Sequence, residues 1–127
     1  MREKKFSLRN RLYSFRFAFN GLKVLFLEEH NSRIHLVIAL VVIMAGFLCK
    51  ITNYEWLAIL LSLGLVISLE IVNTALEKIA DFISPEYDLR IKVIKDLAAA
   101  GVMVGAFAAV GVGLVVFGPH ILEILSV

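Results

Sequence analysis

Three long stretches of the sequence contain no formally charged residue: positions 34–49, 56–69 and 97–122. They hold sixteen, fourteen and twenty-six residues respectively. A helix needs about 20 mainly apolar residues to cross a hydrocarbon core roughly 30 Å thick. The third stretch meets that length by itself, and we expect its span at 94–118. The other two reach it only with flanking polar residues, so the pattern predicts three membrane-spanning helices.

The first two spans include charged residues in different ways. We expect the first at 33–51, because long cationic side chains such as Arg33 and Lys50 reach the interface from a helix end. The second, expected at 55–82, crosses only if it carries Glu70 into the membrane. That burial is the first sign of a functional position.

The segment before the first span has the pattern of an amphipathic helix. Its large apolar side chains recur at intervals of three and four residues, at Leu8, Leu12, Phe15, Phe19, Leu22 and Phe26. Arg9, Arg16, Asn20 and Lys23 occupy the adjoining side. We therefore expect a helix over 6–29 that lies in the cytoplasmic interface of the membrane. A helix packed on a soluble partner is the alternative.

The composition supports a membrane protein and excludes several other classes. Of 127 residues, 60% are hydrophobic and 19% are charged, whereas soluble domains are about 45–50% apolar. A net charge of +2 is too small to indicate a nucleic-acid partner. The single cysteine, Cys49, excludes an intramolecular disulfide and a CxxC site. We expect an all-α protein with one integral membrane domain, 1–127, built from the interfacial helix and three transmembrane helices.

The distribution of lysine and arginine predicts the orientation. Residues 1–33 hold eight of them and residues 78–95 hold four, whereas Lys50 is the only one between the first two spans. Cytoplasmic segments carry the excess of basic residues. We expect a cytoplasmic N-terminus and a C-terminus outside. The N-terminal segment is not a signal peptide, because arginines interrupt its apolar residues.

A polar stripe runs along the second span. Glu70, Asn73, Glu77 and Asp81 fall within about 80° of one another on a helix of 100° per residue. Inserting a carboxylate into the membrane costs about 2.5–3.5 kcal/mol of free energy on insertion scales. Such residues therefore face a bundle interior and usually have a functional role. That argument is strongest for Glu70. For Asp81 an ordinary solvated helix end explains the charge equally well.

Charged residues from other segments are expected at the same depth. Glu28 and Glu29 end the amphipathic helix, and Lys95 and Asp96 begin the third span. Carboxylates from separate helices suit Mg²⁺, which uses one or two of them together with substrate phosphates, and lysine suits phosphate. This set of charged residues is typical of phosphoryl transfer. The sequence contains no Walker, HExxH, CxxC or GxSxG motif, which excludes the standard soluble nucleotide and hydrolase sites. His35 is expected to be an interfacial or interhelical polar residue.

The twelve residues from Glu70 to Asp81, EIVNTALEKIAD, resemble the signature of the small prokaryotic diacylglycerol kinases, a family that includes the undecaprenol kinases. Lys95-Asp96 with the small-residue run after it, and the stretch from Gly21 to Arg33, fit the same family. The resemblance extends from about residue 9 to 118. It implies a homotrimer of three-span protomers in the bacterial inner membrane. ATP would bind at the cytoplasmic surface, and a lipid alcohol would enter from the bilayer.

The resemblance also implies roles for particular residues. Glu70 would be the general base that takes the proton of the lipid hydroxyl, and Glu29 and Glu77 would hold Mg²⁺. The positions expected at ATP are Phe17, Glu29, Glu77, Glu86, Tyr87, Lys95 and Asp96. The positions expected at the lipid are Arg33, Trp56, Glu70, Asn73 and Ala99, with Asn73 orienting the reacting groups.

The chain departs from the family pattern at three places. Phe17 stands where a tyrosine is common, and Asp88 stands where a histidine can follow Tyr87. The arginine of the N-terminal helix corresponds to either Arg9 or Arg11. The sequence around Glu28-Glu29 and Lys95-Asp96 is closer to the undecaprenol kinase branch. The choice between diacylglycerol and undecaprenol as the acceptor lipid stays open.

Two other functions remain open from the residues alone. A small proton-coupled transporter explains an intramembrane Glu70 but not the convergence of Glu29, Lys95 and Asp96. A non-catalytic assembly subunit explains the small residues of the third span, where Gly101 and Gly105 have GxxxG spacing. The assembly-subunit hypothesis does not explain the acidic stripe on the second span.

Overall fold

The computed structural model describes residues 5–126 and confirms the expected all-α fold. Its helices are α1 (Leu8–Glu28), α2 (His30–Cys49), α3 (Asn53–Ile83) and α4 (Leu89–Leu125). Short connections make α2, α3 and α4 run in alternating directions. The start of α2, the end of α3 and the start of α4 therefore lie at the same end of the bundle, and α1 joins it there.

Local hydrogen bonds define the helix starts. The Ser7 hydroxyl accepts from the backbone N–H of Asn10 at the start of α1. Thr52 and Glu55 form a capping box at the start of α3, in which each side chain accepts from the other residue's backbone N–H. Asp88 caps α4 by accepting from the N–H of Arg90 at 2.8 Å. Each cap pairs a backbone donor that a helix N-terminus leaves free.

One extended residue separates α1 from α2. Glu29 has φ −101° and ψ 114°, and it ends one helix and precedes the other. The guanidinium of Arg33 reaches back across this break, and its Nε donates to the carbonyl of Phe26 at 2.7 Å. That bond pairs a carbonyl at the C-terminal end of α1 and fixes where α1 leaves α2.

Helices α2, α3 and α4 are each long and apolar enough to cross a membrane. At 1.5 Å per residue, the 37 residues of α4 extend about 55 Å, which exceeds a hydrocarbon core. The helix continues through Pro119, beyond the expected span at both ends. Proline is tolerated in such helices because neighbouring groups satisfy the freed carbonyl.

The main packing interface lies between α3 and α4. A Cβ at Gly105 would lie 2.5 Å from Cδ1 of Leu69, so the glycine lets the two helices approach closely. At the end opposite the charged residues, Ile51, Ile59 and Val116 form a small core with Trp56 against it. Most other large apolar side chains are exposed on the isolated chain. Lipid or other copies of the chain must cover them.

The contact between Gly46 and Trp56 predicts a stability effect. A Cβ at Gly46 would lie 2.6 and 2.9 Å from two carbons of the Trp56 ring, so something must shift. We expect Gly46→Ala to destabilise the protein by about 1–3 kcal/mol, the usual cost of overpacking. The measurement is unfolding by sodium dodecyl sulfate in mixed micelles.

The matched control is Gly64→Ala in α3, where a Cβ meets nothing within 4 Å. Alanine favours a helix over glycine by about 0.8–1.0 kcal/mol, so this variant should be unchanged or more stable. Equal stability of the two variants would show that the Trp56 contact does not restrict position 46.

Candidate active site at the charged end of the bundle

Two ion pairs join three helices at the end where α2 begins. Nζ of Lys78 on α3 lies 2.6 Å from Oε2 of Glu28 on α1. Lys95 on α4 pairs with Asp81 on α3. All four side chains retain substantial solvent exposure, so each pair contributes little to stability. Their importance is geometric, because they place the acidic and basic residues of three helices side by side.

Glu70 lies deeper in the bundle than these pairs. The residue is only 5% exposed, the lowest exposure among the charged residues of the described chain. Eight residues separate it from Lys78, which is about 12 Å along the helix axis. Its Oε1 contacts Nδ1 of His35 on α2. A buried carboxylate requires such a partner, because an unpaired charge loses its hydration without compensation.

The rest of the polar stripe connects Glu70 to the charged end. Nδ2 of Asn73 donates to Oε1 of Glu77 at 3.4 Å. Oδ1 of Asn73 is buried and has no hydrogen-bond partner within residues 5–126. Both residues are half-buried, and Asp81 is exposed. Accessibility therefore increases along the stripe from Glu70 to Asp81, as expected for a path from the bundle interior to its surface.

The two expected metal ligands lie next to the Lys78–Glu28 pair. Glu29 follows Glu28 in the chain and Glu77 precedes Lys78, so the backbones of both residues lie beside this ion pair between α1 and α3. Both are half-buried. Because Glu28 takes the lysine, the carboxylate of Glu29 has no ion pair within the described part of the chain. Glu29, at the break between α1 and α2, and Glu77, on α3, are thus two acidic groups that make no ion pair within residues 5–126.

The donor set fits Mg²⁺ better than a metal held entirely by protein. Residues 5–126 contain no group of three or more His, Cys, Asp or Glu side chains arranged to hold a metal ion. Mg²⁺ commonly takes one or two carboxylates and completes its shell with water and phosphate oxygens. Glu29 and Glu77 supply that number. The unpaired Oδ1 of Asn73 adds an acceptor beside Glu77.

Two residues expected to bind the nucleotide, Lys95 and Asp96, lie at the start of α4, and each forms an ion pair. Lys95 binds Asp81, and Asp96 lies 2.6 Å from Nζ of Lys92 one turn earlier. These pairs are exposed or half-buried, and a phosphate group can compete for their lysines.

The loop between α3 and α4 contains the remaining nucleotide candidates. Glu86 and Tyr87 are exposed, Tyr87 by 79%. The next residue, Asp88, accepts hydrogen bonds from the side chain and backbone of Arg90, and these bonds lower the pKa of the Asp88 carboxyl. Asp88 therefore anchors the end of the loop to α4.

Four expected site residues lie outside this arrangement. Phe17 is exposed on α1, and Ala99 is exposed on α4. Arg33 is engaged with the end of α1. Trp56 packs on Phe47 with ring centroids 4.9 Å apart, and its fourteen-residue separation from Glu70 on α3 is about 21 Å. Their roles in binding stay predictions.

Sequence reasoning did not identify the partners across helices. It placed Glu28 and Asp81 at the right level but did not pair them with Lys78 and Lys95. It predicted His35 as an interfacial or interhelical polar residue without linking it to Glu70. Depth did not signal this pair, because the expected spans placed His35 two residues from the cytoplasmic end of the first span and Glu70 twelve residues from that end of the second.

Comparison with known proteins identifies the family. The family model described as prokaryotic diacylglycerol kinase matches residues 16–117. The chain is 35% identical over 113 residues to an undecaprenol kinase of Bacillus subtilis, covering 88% of this chain and 92% of that protein. It is 36% identical over 117 residues to a diacylglycerol kinase of Synechocystis, covering 91% and 67%. A diacylglycerol kinase of Helicobacter pylori is 32% identical over 87 residues, covering 68% and 67%.

The family match over residues 16–117 includes the residues from Glu28 to Asp96 that form the charged end of the bundle. These similarities give no support to a proton-coupled transporter, which was an alternative from the residues alone. A non-catalytic assembly subunit also loses its basis, because the named relatives are kinases. With a family match across residues 16–117 and three helices suited to crossing a membrane, the chain belongs to the prokaryotic diacylglycerol kinase family and is a membrane lipid kinase.

Proposed function

We propose that the protein transfers the γ-phosphate of ATP to the hydroxyl of a membrane lipid, a diacylglycerol or an undecaprenol. The observation that carries the proposal is the placement of Glu70, a carboxylate buried between helices on the same face of α3 as Asn73 and Glu77, which lie toward a charged surface. Phosphoryl transfer to a lipid needs this combination, because the acceptor hydroxyl lies near the bilayer while the nucleotide is in water.

Glu70 acts as the general base. The hydroxyl proton passes to its carboxylate while the hydroxyl oxygen forms a bond to the γ-phosphorus. The bond from that phosphorus to the bridging oxygen breaks, and ADP leaves. A positioned base of this kind contributes roughly 10²–10⁴ to the rate. Asn73, one turn along the stripe, orients the reacting groups through its unpaired Oδ1.

Glu29 and Glu77 are the protein groups that would hold Mg²⁺. Bound Mg²⁺ would neutralise charge on the phosphates of ATP and would help to hold the γ-phosphate in line with the attacking hydroxyl. The chain keeps these two carboxylates accessible: Glu28 occupies Lys78, and Asn73 touches only one oxygen of Glu77.

The nucleotide binds across the start of α4 and the loop before it. Lys95 exchanges its contact with Asp81 for a phosphate, and Asp96, Glu86 and Tyr87 complete the surface. Phe17, exposed on α1, offers an apolar ring in place of the hydroxyl that many relatives of this family carry. On the lipid side, Arg33, Trp56 and Ala99 line the acceptor's path.

We also propose that the whole chain acts as one membrane domain in the bacterial inner membrane, with a cytoplasmic N-terminus and an external C-terminus. The excess of basic residues in 1–33 and 78–95 supports this orientation. The family resemblance implies a homotrimer, and the apolar surface that the isolated chain leaves exposed is available for contacts between copies or with lipid.

The base assignment predicts the behaviour of Glu70→Gln. Glutamine has nearly the same shape but cannot accept the proton, so kcat should fall by about 100- to 10,000-fold while ATP still binds. The assay follows label from ATP into diacylglycerol and undecaprenol, side by side in vesicles. We expect wild-type protein to phosphorylate at least one of them.

The matched control is Glu123→Gln, which removes an exposed carboxylate at the far end of α4. It should retain wild-type kcat. Full activity of Glu70→Gln would contradict the base assignment, and no label in either lipid would contradict the proposed reaction.

The metal assignment predicts a changed magnesium requirement for Glu77→Gln. Loss of one carboxylate should raise the Mg²⁺ concentration for half-maximal activity by at least about tenfold, since even indirect partners of a metal ligand cost that much. Activity is titrated with Mg²⁺ at fixed ATP after chelation, using Glu123→Gln again as the control. An unchanged titration curve would remove Glu77 from the metal site.

A further inference from the structure

His35 is the one side chain of α2 that reaches the buried carboxylate. It lies on the second turn of the helix, and its Nδ1 contacts Oε1 of Glu70 on α3. The imidazole is 28% exposed and the Glu70 side chain 7% exposed. Within residues 5–126, no other side chain hydrogen bonds to Glu70. The orientation of this carboxylate therefore depends on a residue from a different helix.

The direction of this hydrogen bond follows from the chemistry of its partners. A carboxylate can only accept, so Nδ1 of His35 carries the hydrogen and donates it to Oε1. In the neutral imidazole, Nε2 is then unprotonated. One oxygen of Glu70 is engaged by this contact, and Oε2 remains free to accept a proton from another group.

The surroundings of His35 strengthen the contact. The ring lines a cavity of about 240 Å³ between α2, α3 and α4, whose other lining residues are apolar apart from Ser62. His35 is the only titratable residue among them. A hydrogen bond at such an apolar boundary is electrostatically stronger than one in water.

We propose that His35 is a positioning residue for phosphoryl transfer, holding Oε1 of Glu70 so that Oε2 is aimed at the hydroxyl of the acceptor lipid. The inference rests on the proposed role of Glu70. In the reaction the lipid proton moves to Oε2, the new oxygen–phosphorus bond forms, and ADP departs with its bond electrons. His35 keeps its own hydrogen throughout and transfers no proton.

Three substitutions at position 35 separate positioning from packing. His35→Leu removes the donor and keeps an apolar side chain. In His35→Asn, the amide nitrogen occupies nearly the same place as Nδ1, whereas in His35→Gln it lies nearer the place of Nε2. We expect His35→Leu to lower kcat by about 100-fold, the usual effect of a misplaced catalytic group, with KM for ATP and lipid unchanged.

Rescue by the correct amide is the decisive comparison. His35→Asn should recover most of the lost kcat, and His35→Gln should not. If His35→Leu does not fold in detergent, the ratio of the asparagine and glutamine variants still decides. Equal kcat for those two variants, or wild-type kcat in His35→Leu, would overturn the proposal.

The control is His120→Leu at the opposite end of the bundle. His120 on α4 also pairs with a glutamate of α3, Nε2 lying 3.3 Å from Oε2 of Glu55. Its substitution removes an interhelical contact of the same type, distant from the site. We expect wild-type kcat, which shows that losing such a pair does not by itself impair catalysis.

The double variant distinguishes this inference from the function on which it rests. If His35 acts through Glu70, adding His35→Leu to Glu70→Gln should cause no further loss of kcat. Multiplying losses would contradict the coupling. If Glu70→Gln is fully active, the base assignment fails; if it is inactive while His35→Leu is normal, only the positioning role fails.

Discussion

The arrangement depends on one requirement: a carboxylate placed inside a helical bundle must be given a hydrogen-bond partner. Glu70 meets it through His35, and the two residues come from different helices. That contact joins α2 to α3 near the charged end. The stripe on α3 then follows from helical periodicity, which brings Asn73 and Glu77 from the buried carboxylate toward the surface.

The charged end assembles without a nucleotide-binding domain. A single extended residue, Glu29, lets α1 leave α2, while Lys78 and Lys95 connect α3 to its two neighbours. Acidic and basic groups from three helices thus meet at the end of a bundle whose remaining length is apolar. Phosphoryl transfer relies mainly on positioning and charge stabilisation. A few charged side chains at the end of a helical bundle are therefore sufficient for a lipid kinase.

Periodicity and hydropathy predicted the all-α fold because both are properties of one helix at a time. The face shared by Glu70, Asn73 and Glu77 was predictable for the same reason. The pairing of Glu28, rather than Glu29, with Lys78 was not, because it depends on the rotation of α1 relative to α3. The continuation of α4 through Pro119 was also not predictable from the sequence. Proline usually ends a helix in a soluble protein, whereas membrane helices tolerate it.

If Glu70 acts as a base and not as a nucleophile, as proposed, phosphate passes directly from ATP to the lipid. The most direct measurement is the stereochemical course of transfer from ATP whose γ-phosphorus is made chiral by oxygen isotopes. A single in-line displacement inverts the configuration at phosphorus, so direct transfer predicts inversion in the phosphorylated lipid. Retention would require two displacements through a phosphorylated side chain and would contradict direct transfer.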